Sequence, residues 1–114
     1  MALKSSAIGT TNTTVFTSTG NNAVTSIIVC NVIEYNPATP TANTAYLSLY
    51  AVPNSAGYVG TPTNDNLIVN KLPITAGETL SLDQEKLVLG NNDTLVAKSS
   101  VGSTLSITIS TLPV

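Results

Sequence analysis

The residues best equipped for chemistry fall in one stretch, AGETLSLDQEKLVLGNNDTLVAK, from Ala76 to Lys98. Glu78, Asp83, Glu85 and Asp93 are four of the chain's six acidic residues, and Lys86 and Lys98 are two of its four basic ones. Asp83 and Glu85 stand two apart. On a strand that spacing puts both carboxylates on one face, as a glycosidase pair or a cation site requires. Yet they lie in DQEK, a polar interval between Leu82 and Leu87, and a solvated turn explains them without chemistry. Gly90-Asn91-Asn92-Asp93 offers oxygen ligands for calcium, but it lacks the alternating acids and distal Glu of a calcium loop. Asn and Asp tolerate left-handed backbone, so these residues predict a hairpin or corner turn.

Other chemistry lacks its residue types. With no His, the usual acid–base group and commonest metal ligand are missing, and zinc would have to be held by one thiol and carboxylates. Ser and Thr abound, but no His base and no G-x-S-x-G accompany them, and no Gly-rich phosphate loop is present. The expectation is a non-enzyme without cofactor or metal. Cys30 lies in the apolar run SIIVCNVI, which predicts a buried, inert thiol. No Arg, four basic residues and a net charge of −2 give no footprint for a phosphate backbone, so nucleic acid is not an expected partner.

The elements that carry these residues repeat with period two. In LSITISTL, Leu105, Ile107 and Ile109 share one face and Ser106, Thr108 and Ser110 the other, the mark of a half-buried strand. Ala23–Ile33 is apolar on both faces and suits a central strand. In YLSLYAV, Leu47, Leu49 and Ala51 alternate with Tyr46, Ser48, Tyr50 and Val52. Further strands are expected at Thr14–Ser18, Asn66–Leu72, Glu78–Leu82, Lys86–Leu89 and Thr94–Ser99, separated by Gly/Asn-rich turns. At 114 residues this is one domain, residues 1–114. It is expected to be an all-β antiparallel β-sandwich of about eight strands, Ig-like or jelly-roll, with residues 1–9 as an N-terminal arm. MALKSSAI has no apolar core of a secretory signal, and no apolar run is long enough to span a membrane, so no membrane partner is expected.

Two long connections, Glu34–Thr44 and Pro53–Asp65, flank the strand Tyr46–Val52 and should leave opposite ends of the sandwich. Tyr35 in the first, and Tyr58 with Val59 in the second, are candidate protein-interface residues, because exposed tyrosines anchor interfaces.

Taken together, TTVFTSTGNNAVTSIIVCN, NDNLIVNKLPITAGETLSLDQEKLVLGNNDTLVAKSS and the closing LSITISTLPV resemble a group of small structural proteins of tailed bacteriophages, cyanophages among them. The resemblance spans Thr13–Ile33 and Asn66–Leu112; the Glu34–Thr44 loop is longer than the group's pattern. It implies a virion component of the capsid decoration, or cement, type. Such a protein would assemble in the bacterial host cytoplasm, bind the major capsid protein or other virion proteins, and cluster as a homo-oligomer, a dimer or trimer. A neck, tail or fibre-associated position is the alternative within the particle. An adhesive, carbohydrate-binding sandwich with Tyr35, Tyr46, Tyr50 and Tyr58 as sugar platforms is the alternative outside it.

If the acids are surface punctuation, Asp83→Ala and Glu85→Ala will each change stability by no more than about 0.5 kcal/mol in chemical denaturation, as ordinary surface sites do. A calcium-dependent rise in Tm that either change abolishes would restore the metal reading.

Overall fold

A computed structural model describes residues 2–54, 60–82 and 87–114. Nine strands are present among them: β1 (Ala2–Ile8), β2 (Thr13–Thr17), β3 (Asn22–Asn31), β4 (Ala45–Val52), β5 (Leu67–Ile74), β6 (Thr79–Leu82), β7 (Leu87–Leu89), β8 (Thr94–Ser99) and β9 (Leu105–Pro113). A single 3-10 turn, Asn64–Asn66, precedes β5. No helix among the described residues is long and apolar enough to cross a membrane.

The strands form two antiparallel sheets, and the domain is a β-sandwich. One sheet runs β1-β9-β3 with β6 and β7 both beside β3; the other runs β2-β8-β4-β5. The pairing is nested: β1 with β9, β2 with β8, β3 with β6 and β7, β4 with β5. The chain is a long antiparallel ribbon rolled over on itself, which is the jelly-roll arrangement rather than the Ig-like one. β6 opposes Ile27–Cys30 and β7 opposes Asn22–Val24, so the two act as halves of one interrupted strand.

Period-two patterning does the folding. Val24, Ile27 and Val29 of β3, Leu47 and Leu49 of β4, Leu95 and Ala97 of β8 and Leu105, Ile107 and Ile109 of β9 meet between the sheets, all nearly solvent-free. The core is aliphatic, with Phe16 packed at its edge. Each fully buried Leu or Ile side chain removes enough apolar surface to contribute about 1.5–3 kcal/mol.

The first nine residues are not a free arm: Ala2–Ile8 pairs along the whole of β9 as the sheet's outer strand. Their sequence hides this. On the inward face Lys4 lies opposite Ile109, Ser6 opposite Ile107 and Ile8 opposite Leu105, so Ile8 alone of the three supplies a buried apolar side chain. Ser6 Oγ is buried without a hydrogen-bond partner. An inward-facing Lys on an edge strand also discourages edge-to-edge pairing with another chain.

Asn31 is a polar side chain that reaches between the layers. It stands at the end of β3 and is 1% exposed. Its Nδ2 donates to the carbonyls of Asn43 and Ile74, each at 2.9 Å, and its Oδ1 accepts from the Ile33 amide at 3.1 Å. The two long connections do leave opposite ends of the sandwich. The first lies beside the β8–β9 turn through Val32 N–H to the Thr104 carbonyl, and the second lies beside the 90–93 corner through Asn54 N–H to Asp93 Oδ1.

Removing the Asn31 amide strands the buried Ile74 carbonyl together with the part-buried Asn43 carbonyl and Ile33 amide. Asn31→Ala is expected to lower stability by about 2–4 kcal/mol in urea unfolding, beyond the net value of an average hydrogen bond because the abandoned partners stay desolvated. A loss below 1 kcal/mol would show that water reaches those groups.

Candidate functional site

A groove of about 960 Å³ lies on the outer face of the β8-β4-β5 sheet. β4 forms its floor: Tyr46, Ser48 and Tyr50 alternate with the core residues Leu47 and Leu49 and so point outward. Tyr46 is 47% exposed, Tyr50 half-buried, and Ser48 nearly covered. Across the strand, Lys98 of β8 sits directly opposite Ser48, level with the residue between the two tyrosines, and it too lines the groove. Ser100 closes one end, donating its Oγ to nothing in the groove but accepting the Tyr46 amide at 2.9 Å.

The opposite wall depends on irregular backbone. β5 pairs Leu72 with Leu47 and Val69 with Leu49, leaving Asn70 and Lys71 both opposite Ser48. This is a β-bulge, and Lys71 adopts φ 49°, a left-handed conformation uncommon for a side chain of this kind. The bulge turns Asn70 and Lys71 toward the same side, and both line the groove. Asn64 forms the rim from the 3-10 turn, whose shape is held by Asn66: its Oδ1 accepts the Thr63 amide and its Nδ2 donates to the Thr61 carbonyl, each at 3.0 Å. Two of the chain's four lysines therefore line this groove, and among the described residues no carboxylate does.

The outer face of the other sheet is different. β9 presents Ser106, Thr108, Ser110 and Leu112, paired with Ala7, Ser5 and Leu3 of β1 on one side and with Cys30, Ile28, Ser26 and Ala23 of β3 on the other. Thr79 and Ser81 of β6 and Val88 of β7 complete it. The hydroxyls bond to one another: Ser5 to Thr108 at 3.1 Å, Thr25 to Ser110 at 2.9 Å. Leu3, Ile28, Val88 and Leu112 are all exposed large apolar side chains here. Among the described residues of this face none carries a charge.

The sequence-predicted candidates are not brought together. Tyr35 is 49% exposed in the loop after β3, set against the turn at Gly77, where the left-handed φ of 78° and the 3.3 Å approach that any Cβ would make to Tyr35 leave room only for glycine. Tyr58 and Val59 lie outside the described residues, as do Asp83, Glu85 and Lys86. Glu78 is exposed at the start of β6. Asp93 is a corner residue: its Oδ2 accepts the Gly90 amide at 2.8 Å and its Oδ1 the Asn54 amide at 2.7 Å, while Asn92 takes φ 74°, the left-handed turn expected of this sequence. Among the described residues no group of three or more His, Cys, Asp or Glu side chains could hold a metal. Cys30 is half-buried rather than buried. Both faces of β3 are apolar in sequence, but Cys30 falls on the outer one, beside exposed Ile28, with its thiol 3.6 Å from the Asn31 carbonyl. Tyr46 and Tyr50 carry the groove instead, and their outward alternation on a strand was the available signal.

Comparison with protein-family models, with curated proteins and with solved structures finds no match to this chain.

Asp93 differs from the exposed acids in having amide partners to lose. Asp93→Ala is expected to cost about 1–3 kcal/mol, the penalty for leaving partly buried amides unpaired. Glu78→Ala, at an exposed position, is expected to stay within about 0.5 kcal/mol. Equal effects in parallel thermal melts would refute the structural role of the Asp93 carboxylate.

Proposed function

We propose that this chain is a non-enzymatic structural protein of a bacteriophage particle, a decoration protein that lies across the joints between capsid subunits. The outer face of the β1-β9-β3 sheet, uncharged among its described residues, is the observation that carries this reading. A flat surface of Ser and Thr hydroxyls studded with exposed Leu, Ile and Val can be covered by another protein at far less desolvation cost than a surface of Lys and Glu. Bonded hydroxyl pairs such as Ser5–Thr108 are already partly satisfied and need little from a partner.

Two further features support it. The sequence pattern resembles that of small tailed-phage structural proteins, and a jelly roll is an architecture that viral capsid domains employ, a fold-level analogy. Weak contacts repeated over a shell gain through multivalency, and clustering as a dimer or trimer would follow the closed symmetry usual among homo-oligomers. A neck or tail position remains the competing placement, and stoichiometry separates the two.

Quantitative mass spectrometry of particles from the phage encoding this chain should find it at a copy number that scales with the major capsid protein. Thr108→Arg puts a charge at the centre of the face; it should leave the Tm nearly unchanged and reduce capture by chain-depleted particles by tenfold or more. Absence from particles, or presence at only the few copies of a neck or tail ring, refutes the decoration role.

A further inference from the structure

The groove on the opposite sheet is independent of that reading and faces away from the proposed capsid contact. We propose that it is a binding site for an acidic carbohydrate, an extended chain of uronate-type sugars whose carboxylates pair with Lys71 and Lys98. Three features of the groove specify this ligand class.

The first is the spacing of the rings. Tyr46 and Tyr50 are four residues apart on one strand, about 13 Å at the usual rise, and they stand on the same side of the sheet. Amphipathic rings so placed offer apolar faces to the C–H faces of sugar rings two to three residues apart along an extended chain while their hydroxyls stay in water. The second is charge. Lys98 comes from β8 opposite Ser48 and Lys71 from the bulge of β5, so two lysines line the path from opposite walls, with no carboxylate among the described lining residues. Within a chain of net charge −2 this is a local reversal of sign that favours an anion. The third is the remaining lining. Ser48, Asn64, Asn70 and Ser100 are neutral donors and acceptors, suited to sugar hydroxyls.

Other anionic ligands fit less well. An extended acidic peptide binds best by adding a strand to an open sheet edge, but the groove floor is β4, which is paired on both sides by β8 and β5. A polynucleotide would be expected to find Arg or a denser basic track, and the chain has no Arg. The left-handed φ of Lys71 belongs to the bulge that brings this second lysine to the groove.

The test is titration calorimetry of the intact protein with hexamers of galacturonate, alginate and hyaluronate, alongside a neutral dextran oligomer, a poly-Glu peptide and oligo-dT. The expected result is binding to at least one acidic oligosaccharide and none to dextran, weakening as salt rises. Lys98→Gln, Lys71→Gln and Tyr46→Ala should each weaken it by fivefold or more, while Tyr35→Ala, outside the groove, should not. Thermal melts of each variant establish folding, and Lys98→Gln, at an exposed position, serves where Lys71→Gln disturbs the bulge. No binding to any acidic oligosaccharide, binding indifferent to Lys98→Gln, or tighter binding to poly-Glu or oligo-dT would overturn the proposal. None of these outcomes bears on whether the other face binds a capsid.

Discussion

Asn31 ends β3 with its carboxamide turned into the core, and both carbonyls that it donates to belong to the opposite layer's chain: Asn43, just before β4, and Ile74, the last residue of β5. Beyond this amide and the buried hydrogen bonds that Ser18 makes with Asn22 and Leu89 at the other end of β3, the adhesion between the layers is aliphatic. Such contacts are strong in sum but non-directional, and by themselves they would let one sheet settle against the other in several ways. A buried amide has fewer options, because leaving its partners unmatched costs about 1–3 kcal/mol each. The amide thus fixes where β4 begins and where β5 ends. Tyr46 follows the start of β4 by one residue and Lys71 precedes the end of β5 by three. The groove inherits its geometry from this clamp.

The scarcity of charge, 9% of residues against about 25% in an average protein, acquires a physical meaning once the faces are separated. One outer face spends no charge at all among its described residues, and its small hydroxyls bond to each other. The other outer face holds two lysines in a groove beside two tyrosines. A uniform shortage of Lys and Glu would suggest only a poorly solvated surface. The uneven distribution divides the molecule into a side that a protein surface can cover cheaply and a side that keeps exposed cations for something anionic. The jelly roll makes that division possible, because nested pairing alternates successive strands between the sheets and so gives each face its own set of sequence positions.

Much of this was legible in the residues. Each expected strand finds its counterpart, since strict alternation in LSITISTL or YLSLYAV has one solution when one face must be buried. β1 was not legible, because its inward positions Lys4 and Ser6 erase the alternation and its pairing is dictated by β9 rather than by its own pattern. The topology was not legible either: local pattern says nothing about which strand lies beside which. Tyr35, Tyr58 and Val59 drew notice through their loops, whereas the groove is built on a strand, where Tyr46 and Tyr50 read as ordinary outward residues until β5 and β8 bring lysines to them. Cys30 was placed by the hydrophobicity of its neighbours, a signal that cannot tell the two faces of a doubly apolar strand apart.

The bulge in β5 shows how closely core and groove are linked. Val69, Leu72 and Ile74 oppose Leu49, Leu47 and Ala45, all core residues of β4, so all three take the inward register, Ile74 buried, Val69 half-buried and Leu72, on the sheet's open edge, 37% exposed. In an unbroken strand residues 69 and 72 would face opposite ways. The alternatives are to expose Val69, or to insert one residue and let the strand buckle. A strand that kept Val69 inward without buckling would turn Lys71 to the inner side and Leu72 to the outer, trading an apolar side chain at the core's margin for a charged one, which the left-handed φ avoids. The core therefore forces the bulge, and the bulge sends Lys71 outward beside Asn70. The second cation of the groove is in this sense a product of hydrophobic register. Substitutions that restored regular alternation to β5 would alter the groove without touching any residue that lines it.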